Sequence, residues 1–172
     1  MSAYNGGSGP RSNSYSKNRF TNWAEYEPWW LEVQATYRRF DGKIAKRPAF
    51  PKIIELAPLE GFIRPCTAKE VETQLSSCPP EFLKGLRAVF ILSGTKKQLR
   101  SWNSSSAFFG HYWRSCVFLH AYPCALDPDL DWLRRFYISD VLMHEIGHHL
   151  DFWNTTRQDR ERFANRFART HG

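Results

Sequence analysis

The sequence lacks any long apolar segment. No apolar run approaches the ~18 residues that a membrane span requires, and the first 20 residues lack the stretch of roughly 7–15 apolar residues found in signal peptides. These absences predict a cytoplasmic protein with no membrane partner. Residues 1–20 are also poor in large aliphatic side chains, so they bury too little apolar surface to offset the entropy of ordering. We expect them to form a disordered tail before a single domain over residues 21–172.

Closely spaced cysteine pairs are also lacking. The four cysteines include no C-x-x-C pair, which excludes the usual structural zinc sites of that type: Cys66, Cys78, Cys116 and Cys124. Without a secretion signal we expect reduced thiols, and a Cys116–Cys124 disulfide is the alternative if the chain is exported. A chain of 172 residues needs no metal merely to fold, so we expect any metal to serve chemistry.

A concentrated basic segment is lacking as well, although the formal net charge is +7. Lysine and arginine are spread along the chain, with no compact run interleaved with aromatic residues of the kind that binds nucleic acid. We therefore expect no nucleic-acid partner and interpret the charge as a solvated surface. The sequence does not set the oligomeric state, and a monomer is our expectation.

The sequence does contain the element signals of an α+β domain. Apolar residues from Trp23 to Phe40 recur at helical spacing, and Thr67 with Glu70 forms a capping box that starts a helix ending near Ser77. Three short apolar runs have the length of strands: residues 52–56, 87–92 and 115–122. We predict a small mixed sheet packed on helices.

Two further helices are predicted near the C-terminus. The segment Asp127-Pro128-Asp129 combines a cap, a first-turn proline and acidic residues, and it predicts one helix reaching Trp153 with Ser139 as its only candidate break. A helical wheel puts five of its residues on a side facing a cleft: Tyr137, Val141, His144, His148 and Asp151. The opposite side is expected to pack on the sheet: Leu142, Ile146, Leu150 and Trp153.

The last helix is predicted over residues 157–169, after a turn at 154–156. We interpret its five arginines as a solvated face, and a preference for acidic substrates is the alternative.

Residues 144–148 read H-E-I-G-H, an H-E-x-x-H pattern inside the predicted long helix. Positions i and i+4 of a helix share a face, with Cβ atoms about 5–6 Å apart, so His144 and His148 can bind one ion. Glu145 lies about 100° round the helix, where it can reach a water molecule on that ion and act as general base. The pattern predicts a catalytic zinc site.

A catalytic zinc ion takes three protein ligands and keeps one position open. Because the last helix folds back beside the H-E-x-x-H helix, we predict Glu161 as the third ligand. Asp151 is the next candidate, or it orients a ligand histidine, and Asp159 and His171 follow. Asn165, one turn beyond Glu161, is placed to hydrogen-bond a ligand imidazole.

Residues 143–151, M-H-E-I-G-H-H-L-D, and residues 161–168, E-R-F-A-N-R-F-A, resemble the gluzincin type of zincin metallopeptidase. In that group an H-E-x-x-H helix is followed by a helix carrying E-x-x-x-D or E-x-x-A-N. The sequence is similar to the minimal gluzincins, the lethal-factor catalytic domain and the bacterial E-x-x-A-N-x-F-A peptidases, over about residues 87–170. The continuation typical of metzincins is excluded, because Asp151 and Asn154 stand where that class has Gly and His.

This resemblance implies a zincin-like fold and zinc-assisted hydrolysis of a protein or peptide substrate, with Glu145 as general base. It implies that Cys116–Ala121 is the edge strand that holds an extended substrate, a buried inner strand being the alternative. An oxyanion donor is also required, and there are five candidates: Tyr112, Tyr122, Tyr137, His149 and His171.

Other functions remain open at the level of sequence. The chain is alternatively an inactive zinc-containing binding module, a basic nucleic-acid-associated factor, or a zinc hydrolase of a non-peptide amide. Cys66 is a candidate thiol for capping the metal and keeping an enzyme latent.

Overall fold

Short strands form a mixed sheet in the part of the chain that the structure, a computed structural model, describes, namely residues 23–101 and 108–172. Four of them pair in the order β1-β3-β5-β4: β1 (Lys52–Glu55), β3 (Ala88–Ile91), β5 (Cys116–Leu119) and β4 (Gly110–Trp113). The first three are parallel, and β4 is antiparallel to β5. A separate antiparallel pair joins β2 (Phe62–Ile63) to β6 (Tyr122–Pro123). The three predicted strands are therefore present, whereas β2, β4 and β6 were not predicted as separate strands.

The prediction that Cys116–Ala121 is an edge strand is wrong. Strand β5 pairs with β3 on one side and β4 on the other, and all four of its residues are buried. The reason is a hairpin turn at Arg114 and Ser115, whose φ angles of 50° and 60° reverse the chain within two residues. This turn sets β4 outside β5 and makes β4 the edge strand.

The sheet buries a different set of side chains on each face. One set packs against the C-terminal helices: Val89, Ile91, Val117 and Leu119. The alternate set packs against α1 (Trp23–Phe40), the helix predicted from the apolar stripe: Ala88, Phe90, Cys116 and Phe118. Phe90 and Phe118 stack with ring centroids 5.0 Å apart.

Three short helices complete the first half of the described chain: α2 (Ala68–Ser77), α3 (Pro80–Leu83) and α4 (Lys96–Ser101). The predicted capping box is present at the start of α2, where Glu70 N–H donates to the Thr67 hydroxyl at 3.2 Å and Thr67 N–H donates to the Glu70 carboxylate at 2.7 Å. No helix within the described residues is long and apolar enough to cross a membrane. The tail predicted over residues 1–20 lies outside those residues.

The predicted long helix consists of three consecutive segments: α5 (Leu130–Arg135), a π-helix (Phe136–Leu142) and α6 (Met143–Leu150). Asp129 caps its start by accepting a hydrogen bond from Trp132 N–H at 2.8 Å. The helix ends at Leu150, three residues before the predicted end, and α7 (Arg157–His171) follows.

The predicted helical wheel is correct for His144 and His148, which line the cleft, and for Leu142 and Ile146, which are in the core. It is wrong for residues within the π-helix, because i→i+5 bonds change the angle at which successive side chains emerge, and for Asp151, which is buried in the turn after the helix. Tyr137 and Val141, which were predicted to face a cleft, are buried in the core with Leu142 and Ile146. Trp153, which was predicted to pack on the sheet, lies beyond the helix end and is 54% exposed.

Candidate metal site

Three side chains from α6 and α7 meet at one point. The Nε2 atoms of His144 and His148, one turn apart on α6, are 3.0 Å from each other. Glu161 of α7 presents one carboxylate oxygen to each ring, 3.5 Å from His144 Nε2 and 3.4 Å from His148 Nε2. Within the described residues, this is the group of His, Cys, Asp or Glu side chains whose donor atoms converge closely enough to hold one ion.

Close packing of the two helices brings Glu161 to the histidines. A Cβ atom on Gly147 would lie 2.8 Å from the Cα atom of Ala164 and 3.3 Å from its Cβ atom, so glycine is required where α6 meets α7. Asp151 supports the turn between the helices, because its Oδ1 accepts hydrogen bonds from the backbone N–H and the side-chain amide of Asn154. Small residues at the contact therefore position the third donor.

The geometry of the three donors fits a zinc ion. Around a tetrahedral zinc ion with bonds of roughly 2.0–2.1 Å, neighbouring donor atoms lie about 3.3 Å apart. The two Nε2 atoms are 3.0 Å apart, and each has a different Glu161 oxygen at a similar distance, 3.5 Å from His144 and 3.4 Å from His148. One donor atom from each residue can be chosen so that all three lie within 4.8 Å of one another. Two imidazoles and one carboxylate are also the donor set of a known class of catalytic zinc site. These residues fit the ion that the sequence predicts.

A fourth side chain sets the orientation of one imidazole. Asn165 Oδ1 lies 3.1 Å from His144 Nδ1, so the ring donates its Nδ1–H to Asn165 and its Nε2 lone pair points to the site. This contact is the one expected from the position of Asn165 one turn beyond Glu161.

The protonation of the donors is linked. Burial acts to lower the pKa of His148, but its hydrogen bond to Glu161 and the charges of Glu145 and Glu161 outweigh burial, so the pKa is raised. Burial acts to raise the pKa of Glu161, but its contacts with His144 and His148 outweigh burial and hold the pKa well below its usual range. Without an ion, the cluster therefore favours a charged carboxylate beside a protonated imidazole.

Glu145 lies beside the three donors and lines the same cleft. Its side chain is nearly buried, with 3% exposure, and it packs against β4 at Gly110. A Cβ atom at position 110 would lie 2.9 Å from Glu145 Oε1 and 2.8 Å from Val141 Cγ1. The glycine at the start of the edge strand thus provides the space that the carboxylate occupies.

The cleft has a volume of about 450 Å³ and runs between β4 and the first turns of α7. Besides the three donors and Glu145, it is lined by seven residues: Tyr26, Gly110, His111, Tyr112, Thr155, Arg157 and Arg160. Tyr112 was predicted as an oxyanion donor, and Arg157 and Arg160 are among the five arginines for which a preference for acidic substrates was the alternative. The other four lining residues were not predicted as site residues. Gly110 and His111 lie on β4, which was not predicted as a strand, and so gave no usable signal. Arg157 lies four residues before Glu161, a spacing that puts both on one face of α7.

Of the five predicted oxyanion donors, Tyr112 lines the cleft, and its hydroxyl is 3.1 Å from His149 Nδ1. The other four do not line it. Tyr137 is fully buried, because the π-helix turns it into the core, and Tyr122 lies on β6 stacked with Phe109. His149 is held by the Lys84 carbonyl at 3.0 Å, and His171 packs on Phe82 and Phe167.

The residues predicted as alternative metal ligands make other contacts and do not join the three donors. Asp151 makes the turn described above. Thr156 caps α7 by accepting a hydrogen bond from Asp159 N–H, and the Asp159 carboxylate accepts one from the Thr156 hydroxyl. All four cysteines are free, so the alternative Cys116–Cys124 disulfide is not formed. Cys66 is buried in the core and does not line the cleft, and burial raises the pKa of its thiol to about 12, which does not suit a metal-capping thiolate.

No family model, curated protein or solved structure matches the chain.

Proposed function

We propose that this protein is a zinc-dependent peptidase with a zincin-like fold. The observation that carries the proposal is the convergence of His144, His148 and Glu161 beside the nearly buried Glu145 in an open cleft. The resemblance of residues 143–168 to the gluzincins supports the same reading. His144, His148 and Glu161 would hold the zinc ion.

Each residue then has a defined task. When bound, zinc lowers the pKa of a water molecule towards about 7 and polarises a carbonyl oxygen. Glu145 accepts a proton from the attacking water and returns it to the leaving amine. Its packing against Gly110 keeps the carboxylate in place, and Asn165 keeps the His144 ring in the tautomer that exposes Nε2. Tyr112 is the predicted oxyanion donor that lines the cleft, and its hydroxyl would have to exchange its hydrogen bond to His149 Nδ1 for one to the oxyanion.

The edge strand favours a peptide over another amide. Within the described residues, no strand pairs with the outer edge of β4, and three of its residues line the cleft. A polypeptide lying extended along that edge can exchange backbone hydrogen bonds with β4, as in β-augmentation. We propose β4, in place of the strand first predicted, as the substrate-binding edge.

The test is to compare Glu145→Gln with the wild type for zinc content and for cleavage of an unfolded protein. We expect the variant to retain one zinc ion per chain and to lose activity by a factor on the order of 10² or more, because only the proton acceptor is removed. Glu81→Gln, an exposed change of the same type, is the matched control and should change neither property. Full activity in Glu145→Gln rejects the mechanism, and bound zinc without hydrolysis in the wild type indicates a non-catalytic binding module.

A further inference from the structure

The charged side chains that line the cleft form an inner acidic set and an outer basic set. Glu161 lies between two imidazoles, and Glu145 is nearly buried against Gly110. Arg157 and Arg160, from the first turns of α7, are the other charged residues of the lining. The acidic side chains therefore belong to the candidate metal site itself, and the basic side chains of the lining come from the first turns of α7.

Arg160 is anchored without using all its donors. Its Nε–H donates to the Asn154 carbonyl at 3.1 Å, and a guanidinium has five N–H groups. Desolvation is the largest influence on the pKa of both His148 and Tyr112, but the Arg160 charge acts to lower both values. That influence on side chains from α6 and β4 agrees with a guanidinium that lies at the cleft between them.

The charge balance of the occupied site would be positive. The two carboxylates of the lining, Glu145 and Glu161, would balance a divalent ion, so the net formal charge of the lining would then come from its two arginines. The sequence outside the described residues cannot reverse this sign, because residues 1–22 and 102–107 contain no Asp or Glu. Arginine is the side chain best suited to bind a carboxylate, through paired N–H donors in one plane.

We propose that the cleft selects substrates that carry a carboxylate, bound by Arg157 and Arg160. This inference rests on the proposed function for the reaction, but the binding can be measured without it. The carboxylate comes either from an Asp or Glu side chain or from the C-terminus of the substrate. Both sources offer the same chemical group, and the experiment distinguishes them with separate peptides.

The experiment measures binding by fluorescence anisotropy to zinc-loaded, full-length Glu145→Gln protein. Three labelled alanine-rich peptides differ in one group each: a central Gln with an amidated C-terminus, a central Glu with an amidated C-terminus, and a central Gln with a free C-terminus. We expect one or both carboxylate peptides to bind about tenfold more tightly than the neutral peptide. The peptide that gains affinity identifies the source of the carboxylate.

Arginine variants then test the assignment. In the same background, Arg157→Gln and Arg160→Gln should each reduce the preference severalfold, and the double variant should bind all three peptides about equally. Arg169→Gln, an exposed arginine in the last turn of α7, makes the same change in net charge and should leave the preference intact. Equal binding of all peptides before mutation, or a preference that survives in the double variant, overturns the proposal.

Cleavage of the same peptides by the wild type separates this inference from the proposed function. A carboxylate preference in binding with no hydrolysis of any peptide by the zinc-loaded wild type rejects the peptidase and keeps the carboxylate site. Hydrolysis of all three peptides with no difference in binding or rate supports the peptidase and rejects the carboxylate site.

Discussion

Two clusters of histidine and glutamate lie against opposite faces of the same sheet, and their side chains are arranged differently. In the candidate metal site, the donor atoms of His144, His148 and Glu161 converge beside an open cleft. The second group lies on the α1 side of the sheet and consists of Glu32, Gln98, His111 and His120, of which His111 also lines the cleft. We call it the closed cluster because its polar atoms contact one another in sequence.

The closed cluster is a chain of paired contacts. Glu32 accepts hydrogen bonds from Gly94 N–H and from the Gln98 amide, both at 2.7 Å, and His120 Nδ1 is 3.4 Å from the same carboxylate. His120 Nε2 is in turn 2.8 Å from His111 Nδ1. Its donor atoms follow one another and do not converge, so an ion would have to displace existing contacts. Residue type alone does not make a metal site; convergence of the donor atoms does.

The largest difference between the two clusters is expected in zinc affinity, when one of the proposed metal ligands is removed. Zinc binding to a structural site is worth roughly 10–16 kcal/mol, so one ligand among three or four contributes about 3–4 kcal/mol, or about 10²–10³-fold in affinity. We expect His148→Ala and Glu161→Ala to weaken zinc binding by this factor, measured by competition with a chromogenic chelator. His120→Ala in the closed cluster and His171→Ala should leave the affinity within about twofold. Unchanged affinity in Glu161→Ala would assign the third ligand to another residue.

The second prediction concerns folding stability, which we expect to depend more on the closed cluster than on the candidate metal site. Glu32→Ala leaves Gly94 N–H without its buried acceptor, removes one of the two acceptors of the Gln98 amide and removes the carboxylate beside His120, which should lower the free energy of unfolding by about 2–4 kcal/mol. Urea unfolding with the metal chelated measures this loss. The matched control is Glu27→Ala on the same helix, where removal of a surface ion pair with Lys97 should cost less than about 1 kcal/mol. Equal losses in the two variants would show that the closed cluster adds nothing beyond a surface contact.

A smaller change should follow from the Asn165 contact. Asn165→Ala removes the acceptor that orients the His144 ring, and we expect zinc affinity to fall by about 10–100-fold without loss of the ion at high concentration. Asn165→Asp restores an acceptor at the same position and should recover most of the affinity. Equal affinities in the wild type and Asn165→Ala would mean that close packing alone orients the ring.

The sequence predicts what short-range rules determine. The Thr67 capping box, the stripe of α1 and the three apolar strands follow from local spacing, and they match the structure closely. The histidine pair falls wholly within α6, so the i, i+4 prediction does not depend on the π-helix before it. Glu161 could be placed because small residues permit a close contact between the last two helices.

The features that the sequence does not predict depend on long-range pairing or on rare backbone geometry. Strand β4 is four residues of mixed polarity, and its turn uses Arg114 and Ser115 where a positive φ usually signals glycine or asparagine. The π-helix has no compositional signal, yet it decides that Tyr137 faces the core. The closed cluster was missed for a related reason, since its four members come from three distant parts of the chain.

The smallest effect is a pH dependence that distinguishes the metal-free cluster from the occupied one. In the unfolded chain the ordinary pKa values are 6.5 for histidine and 4.5 for glutamate. The raised pKa of His148 contributes stability below 6.5 that is lost as the pH rises through the folded value. The lowered pKa of Glu161 contributes stability above 4.5 that is lost as the pH falls. Both contributions are present together between these two values.

With the metal chelated, the wild type should therefore exceed Glu161→Gln in stability by roughly 1–2 kcal/mol near pH 5.5, and by less near pH 8.5. With zinc present, the wild type should exceed Glu161→Gln in stability by more near pH 8.5 than near pH 5.5. The reason is that a proton on His148 competes with the ion, so zinc binding strengthens as the pH rises. Urea unfolding of both proteins at the two pH values, with and without zinc, measures all four differences. If the stability difference between the wild type and Glu161→Gln does not change with pH in the chelated protein, the charged pair is contradicted. The stabilisation that Glu161 gains from protonated His148 must disappear once the pH exceeds the histidine pKa.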